Sequence, residues 1–396
     1  MTVTPGSPAL DDLLVRIAAG AAEREATGTA PFEQIGWVKE ARLGAYRVPA
    51  ADGGGGAGVR DLFDLVVRLS HADSNIGHLL RAHFGTVEDI LLWPASPRRE
   101  RWLARVVAGE LFGNGNNELG AKHAGDFAKS TTFTRDGEEY VVDGTMYYST
   151  GTLYADHTFV TGVTPEGLPV QALLSLDTDG ITVEDDWDGF GQSLTATGTT
   201  RFAGARVSAE DVTLPPADLS SIPRWHLGPL YQHYLNAVVA GNVQSVLDDA
   251  VALLRGRSRS FTHGSADVPR EDPVLLEVVG EISALASAAV AVVGETADVL
   301  ARIPASVVDG RTDDDVVHEA GLRASMAQVV VHDLGLRAAT LLFEVGGASA
   351  VKRSENLDRH WRNIRTVVSH NPVRFKNRAV GDLLVNGETL PDNTYF

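Results

Sequence analysis

The residues able to do chemistry fall in a few short stretches. Gly113-Asn114-Gly115, followed by Asn116 and Asn117, concentrates neutral amides between glycines. The next glycine is Gly120, which breaks G-x-G-x-x-G spacing, so a dinucleotide fingerprint is disfavoured. The run reads either as a flexible connection or as a ligand-facing junction. Among 12 histidines there is no H-E-x-x-H or H-x-x-x-H pair. His78 and His83 are five apart, on different helix faces, so no metal is expected. His360 and His370 stand ten apart in a basic stretch, where a structural role is the more ordinary reading. Arg255, Arg257 and Arg259 before Phe261 suit either a solvated face or a phosphate held by forked guanidinium donors. Gly346-Gly347 after Phe343 reads first as a helix C-cap.

Three zones must position these groups. Residues 1–110 read as helices. Leu13, Leu14, Ile17 and Ala21 line one face of a helix that ends near Thr27-Gly28, and Leu62, Leu65, Val66 and Leu69 line another after Gly53–Gly56. Residues 111–216 switch to a period of two. Thr132–Arg135 and Glu139–Val142 flank an Asp136-Gly137 hairpin turn, with further strands at His157–Val163, Val170–Leu176, Gly180–Glu184 and Thr199–Ala205. A small antiparallel barrel or sandwich follows. Residues 217–396 return to long helical segments, Tyr231–Leu254, Pro273–Ile303 and Asp313–Phe343, which suit an antiparallel bundle with Ala-rich faces at Ala284, Ala288 and Ala291. The fold class is α+β, in the order helical, barrel, bundle.

Composition narrows the function. The chain has 396 residues, 44% of them hydrophobic, and a formal net charge of −18. Nucleic acid and anionic membranes are disfavoured as partners. With no cysteine, thiolate metal sites and cysteine nucleophiles are excluded. No signal peptide pattern opens the chain and no apolar run looks long enough to cross a bilayer, so a cytoplasmic protein is expected.

Taken in order, the motifs resemble the acyl-CoA dehydrogenase superfamily over almost the whole chain. Ile35-Gly36-Trp37 through Tyr46-Arg47-Val48-Pro49, then Gly53–Gly56, resemble its entry helix and glycine-rich turn, and Leu69–Asn75 its next helix end. Tyr148-Ser149-Thr150-Gly151 with Ala155-Asp156 resembles the segment that touches the flavin ring. Phe190–Phe202 with Val207 resembles a barrel strand pair. The dehydrogenase base is missing: Arg362-Asn363-Ile364-Arg365 leads into Ser369-His370-Asn371-Pro372, with no Glu or Asp from Thr366 to Val380. That end resembles the flavin-dependent monooxygenases built on the same fold.

The resemblance implies an enzyme that uses reduced flavin, FADH2 or FMNH2, and O2, through a flavin C4a adduct, to oxygenate an aromatic or heteroaromatic small molecule. It implies catalytic roles for His370, Thr150, Asn114 and His83. Flavin contacts would come from Asn114, Tyr148, Ser149, Thr150, His370, Arg259, Phe261, Gly346 and Gly347, the last four across a subunit boundary. His83, Phe84, Trp93, Trp225 and Tyr231 are the substrate-side candidates. A separate NAD(P)H flavin reductase and a homotetramer are further implications. The alternatives are an acyl-CoA dehydrogenase with a displaced base, such as Glu277 or Glu281, and a non-catalytic scaffold.

Overall fold

In the computed structural model, residues 2–119, 129–216, 225–308 and 311–396 are described; Gly120 and the expected boundary at 216/217 fall at or beyond the edges of these segments. The first region holds seven helices: α1 Pro8–Ala18, α2 Ala21–Thr27, α3 Phe32–Glu40, α4 Val59–Ala72, α5 Ser74–Leu79, α6 Arg81–Leu92 and α7 Pro97–Ala108. The single helix expected through Ala21 is two, split by Gly20, whose φ is 73°. On α4 the apolar stripe Leu62, Leu65, Val66 and Leu69 is fully buried. Each such side chain contributes roughly 1.5–3 kcal/mol. Asp73 ends that helix and caps the next, accepting from the Asn75 and Ile76 amides while pairing with Arg24 at 2.8 Å.

The middle region is one eight-stranded sheet: β1 Phe112–Gly115, β2 Thr132–Asp136, β3 Glu139–Met146, β4 His157–Val163, β5 Pro169–Ser175, β6 Ile181–Glu184, β7 Thr199–Ser208 and β8 Val212–Thr213. Its order is β6-β7-β3-β2-β4-β5-β8, with β1 on β4. Two features differ from the expectation of an antiparallel barrel. Among the described residues β6 and β8 are left as edges, so the sheet is a half-barrel, and β1 and β2 both run parallel to β4. Four residues containing two glycines gave β1 no alternating pattern to read; it becomes a strand because it extends along β4, Phe112 opposite His157. The hairpin stands as its turn chemistry requires, with Gly137 at φ 65°.

The last region is helical: α8 Leu227–Gly256, α9 Pro273–Leu300, α10 Arg302–Ala305, α11 Asp314–Gly346, α12 Asp358–Ser369 and α13 Val373–Asn386. The long helices α8, α9 and α11 pack on one another, and α4 lies across α8. One apolar core therefore runs through both helical regions, from Leu10 and Phe63 to Val243 and Leu342. The expectation that no segment could span a bilayer needs correction. Leu227–Gly256 and Pro273–Ala305 are long and apolar enough by length and composition, with mean hydropathies of 1.4 and 1.8. Alanine and valine spread through these helices raise the average without a continuous run of large apolar residues. Of the most apolar window in each, 56% is buried in the first and only 22% in the second.

Candidate active site

A narrow cleft opens where α6, β1, α8 and the α12–α13 turn meet. Arg81, Asn114, Thr150, Trp225, Tyr231 and His370 line it, together with Thr394 and Tyr395. Asn114, Thr150 and His370 thus come together from three separate stretches of the chain. Each is held by a local device. Gly113 lets β1 approach Thr152 so closely that a Cβ there would sit 2.4 Å from the Thr152 hydroxyl. That hydroxyl accepts from the Asn114 amide at 2.9 Å and fixes the strand. The Asn114 side chain donates to the Tyr148 carbonyl at 3.4 Å.

Thr150 belongs to a chain of hydroxyls with a definite direction. Thr195 donates to the Gln192 carbonyl at 2.7 Å. It must therefore accept from Thr197, 2.7 Å away, and Thr197, its proton used, must accept from Thr150 at 3.0 Å. Thr150 is left with oxygen lone pairs to offer a ligand. Beside it the Ser149 hydroxyl is buried with no partner among the described residues, and the half-exposed Tyr148 ring stands edge-on to Trp187 at 6.2 Å. Hydroxyl, amide and orphaned Ser149 groups beside open aromatic surface fit the edge and face of a flavin ring.

His370 caps α12 in a turn clamped on two sides. The Asn371 side chain donates to the Tyr395 carbonyl at 3.0 Å, and Gln328 donates to the Asn371 carbonyl at 2.7 Å. His370 keeps surface open to the recess, yet protein surrounds it. Burial, then the charges of Arg81, His78 and Lys376, hold its pKa well below the usual histidine value. Arg81 can only donate, so its contact with His370 Nε2 at 3.4 Å makes that nitrogen the acceptor and places the proton of neutral His370 on Nδ1.

Other sequence candidates lie elsewhere. His83 is fully buried; its Nε2 donates to the Gly44 carbonyl at 3.0 Å and its Nδ1 accepts from the Phe112 amide at 3.2 Å. Both ring nitrogens are used in fastening α6 to β1, and His83 does not line the cleft. Phe84 is core, packed against Tyr234. Trp93 donates to Asp89 and lies under Arg98. Trp225 and Tyr231 do line the cleft, tilted against each other at 5.8 Å. Phe261 and Gly347 meet, a Cβ at Gly347 falling 3.6 Å from the Phe261 ring, but neither they, Arg259 nor Gly346 lines the cleft of their own chain. Glu281 pairs with Arg337 and Glu277 is exposed, so neither supplies a displaced base to the cleft. Arg81 and Tyr395 escape sequence reasoning. Neither belongs to a spaced motif, and only the fold brings them to the cleft.

A larger cavity of about 780 Å³ lies between α13 and the segment that follows it. His370 and Tyr395 belong to the walls of both spaces. Their rings are 6.2 Å apart, so Tyr395 partitions the cleft from the cavity.

This architecture is that of the acyl-CoA dehydrogenases, and residues 234–375 match the family described as acyl-CoA dehydrogenase, C-terminal domain. The chain resembles that superfamily, and within it the flavin-dependent monooxygenases, over nearly its whole length. It is 29% identical over 379 residues to a dibenzothiophene monooxygenase of Mycolicibacterium goodii, covering 92% of this chain and 89% of the relative. It is 27% identical to a probable FMNH2-dependent monooxygenase of Pseudomonas putida, covering 99% and 98%. The FMN-bound dibenzothiophene monooxygenase of Paenibacillus sp. A11-2 superposes with a TM-score of 0.90 at 25% identity, over 98% of this chain and 100% of that one.

Proposed function

We propose that this chain is a two-component monooxygenase that takes reduced FMN from a separate NAD(P)H flavin reductase and uses O2 to oxygenate an aromatic or heteroaromatic small molecule. The observation that carries this reading is the meeting of Asn114, Thr150 and His370 in a cleft lined by no Asp or Glu among the described residues. A thioester dehydrogenase needs a carboxylate base there. FMN is favoured over FAD by the FMN-bound relative and the FMNH2-dependent one, and an aromatic substrate by the relative solved with FMN and indole.

The bound flavin would supply the activation of O2. The chain's own residues orient and protect. Thr150 offers its lone pairs because Thr197 takes its proton, which suits a flavin N–H. Asn114 adds a neutral amide and no charge. His370 is neutral, with Nε2 held by Arg81, and its Nδ1–H has no protein acceptor among the described residues; it would donate a hydrogen bond to the charge that develops during oxygen transfer and keep its proton throughout. Trp225 and Tyr231 give apolar walls that keep water out.

Arg259, Phe261, Gly346 and Gly347 would hold the phosphate end of a flavin bound to a neighbouring copy. A homotetramer supports this arrangement, and exposed Val274 and Leu276 on the poorly covered α9 supply apolar surface for it. The three regions 1–110, 111–216 and 217–396 would be its domains, and a cytoplasmic location goes with dependence on a reductase.

The test combines purified protein, FMN, a flavin reductase, NADH, O2 and indole, and measures oxygenated indole. His370→Ala should lower product roughly 10²–10⁴-fold while FMN binding stays nearly intact. Bleaching of the flavin by an acyl-CoA thioester, with no oxygenated product from any aromatic, would overturn the reading. So would NADH oxidation by the chain without the reductase.

A further inference from the structure

The cleft has a sign. Its wall carries the Arg81 guanidinium, Lys376 is near enough to act on His370, burial keeps His370 and His78 neutral at pH 7, and no carboxylate lines the space among the described residues. Several guanidinium groups drawn inward are ion-paired, whereas Arg98 is held by the Thr213 hydroxyl and the Asp211 carbonyl. Arg24 is paired with Asp73, Arg47 with Glu88 and Arg359 with Asp249. Arg81 has no such partner among the described residues. A guanidinium carries five N–H donors. At Arg81, Nε donates to the Tyr231 carbonyl at 3.1 Å and Nη1 to His370 at 3.4 Å, which leaves three without a protein acceptor among the described residues. The group lies over the Tyr231 ring, 5.1 Å from its centroid. Burial lowers its pKa to about 10, so it is still charged at neutral pH. A cation drawn into a recess without a counter-ion costs stability, and an arriving anion recovers that cost.

We infer that the cleft takes an aromatic substrate bearing an oxyanion of the carboxylate type, with Arg81 as its counter-ion and forked donor. The inference rests on the reading of this cleft as the substrate site of a monooxygenase and narrows the substrate class. Two oxygens in a plane match the free edge of the guanidinium, and placing the charge at Arg81 brings the ring that carries it toward Trp225, Thr150 and His370. A negative charge could also come from the ring of reduced flavin, and the experiment separates the two sources.

Indole-3-carboxylate and its neutral isostere indole-3-carboxamide are titrated calorimetrically into flavin-free protein. The carboxylate should bind at least about tenfold more tightly, and the preference should shrink as salt is raised. Arg81→Met should bring the two affinities together, and Arg81→Lys should keep part of the preference. Equal affinity in the wild-type protein, no binding of either compound, or a preference unchanged in Arg81→Met would overturn the inference. The wild-type pair and Arg81→Lys keep the test decisive should Arg81→Met fail to fold. In a second, anaerobic arm, oxidised and reduced FMN are titrated into wild type and Arg81→Met. A selective loss for reduced FMN, with no carboxylate preference in the wild type, would assign Arg81 to the cofactor and overturn the substrate reading. Product from indole without any carboxylate preference sinks the inference alone; a carboxylate preference with no oxygenated product from either compound sinks the monooxygenase reading alone.

Discussion

Lys376→Met should stabilise the protein, by an amount that depends on pH. Lys376 is fully buried on α13, its ammonium has no acceptor among the described residues, and it rests 3.7 Å from the centroid of the Phe396 ring. Burial lowers its pKa from 10.5 to about 7. The unfolded chain therefore holds this proton more tightly than the folded one, and wild-type stability from this group rises as pH goes from about 7 to 10.5. At about 1.4 kcal/mol per pKa unit, the penalty is on the order of 5 kcal/mol at and below pH 7 and fades at high pH. Methionine has similar volume and no charge, and it forgoes a cation–π contact worth roughly 1–2 kcal/mol. The net gain should be about 2–4 kcal/mol at pH 7 and should vanish or reverse toward pH 10. Urea unfolding of both proteins at pH 7, 8.5 and 10 measures it, since other titrating groups cancel in the difference. A gain independent of pH, or a loss at pH 7, would refute the reasoning. Lys376 is also one of the charges that hold the His370 pKa down, so the variant should move the acid limb of kcat/KM upward.

Thr150→Val should keep the fold and raise H2O2 release without substrate, because the lone pairs that Thr197 leaves on Thr150 are lost; Thr150→Ser should restore coupling, and equal H2O2 yields from wild type and Thr150→Val would count against the role. Tyr395→Ala should join the cleft to the 780 Å³ cavity and admit tricyclic substrates, read as a fall in their KM relative to indole; an unchanged ratio would mean that Tyr395 is no partition.

What the sequence made legible follows from how each feature is encoded. The α4 stripe and the Asp136-Gly137 turn are local patterns, and they sit in the structure where a helical period and a turn requiring positive φ put them. Strand β1 is not local. Phe112–Gly115 is extended because β4 pairs with it and Thr152 pins it, and nothing in four residues with two glycines announces that. The same division runs through the site. His370 could be picked out because it stands in a turn where a related enzyme class needs a carboxylate, an ordered departure within an ordered set of motifs. His83 matches the same branch by a looser correspondence, and the partners of its two nitrogens fasten α6 to β1. Arg81, two residues before it, stands in the same stretch and takes no role from the sequence.

The meaning of Arg81 is a property of what surrounds it, and that is assembled from α6, α8 and the α12–α13 turn. A net charge of −18 argues against anionic partners for the molecule as a whole, yet the cleft carries the opposite sign. No acidic residue lines this cleft among the described residues, so the field near His370 is set by the cations around it, Arg81 and Lys376. On the proposed reading the protein would repel anions at large and hold one in this cleft, where burial first and the neighbouring cations second keep His370 neutral. On that reading, a histidine that stays neutral and a guanidinium that would hold a carboxylate both follow from one arrangement of burial and charge.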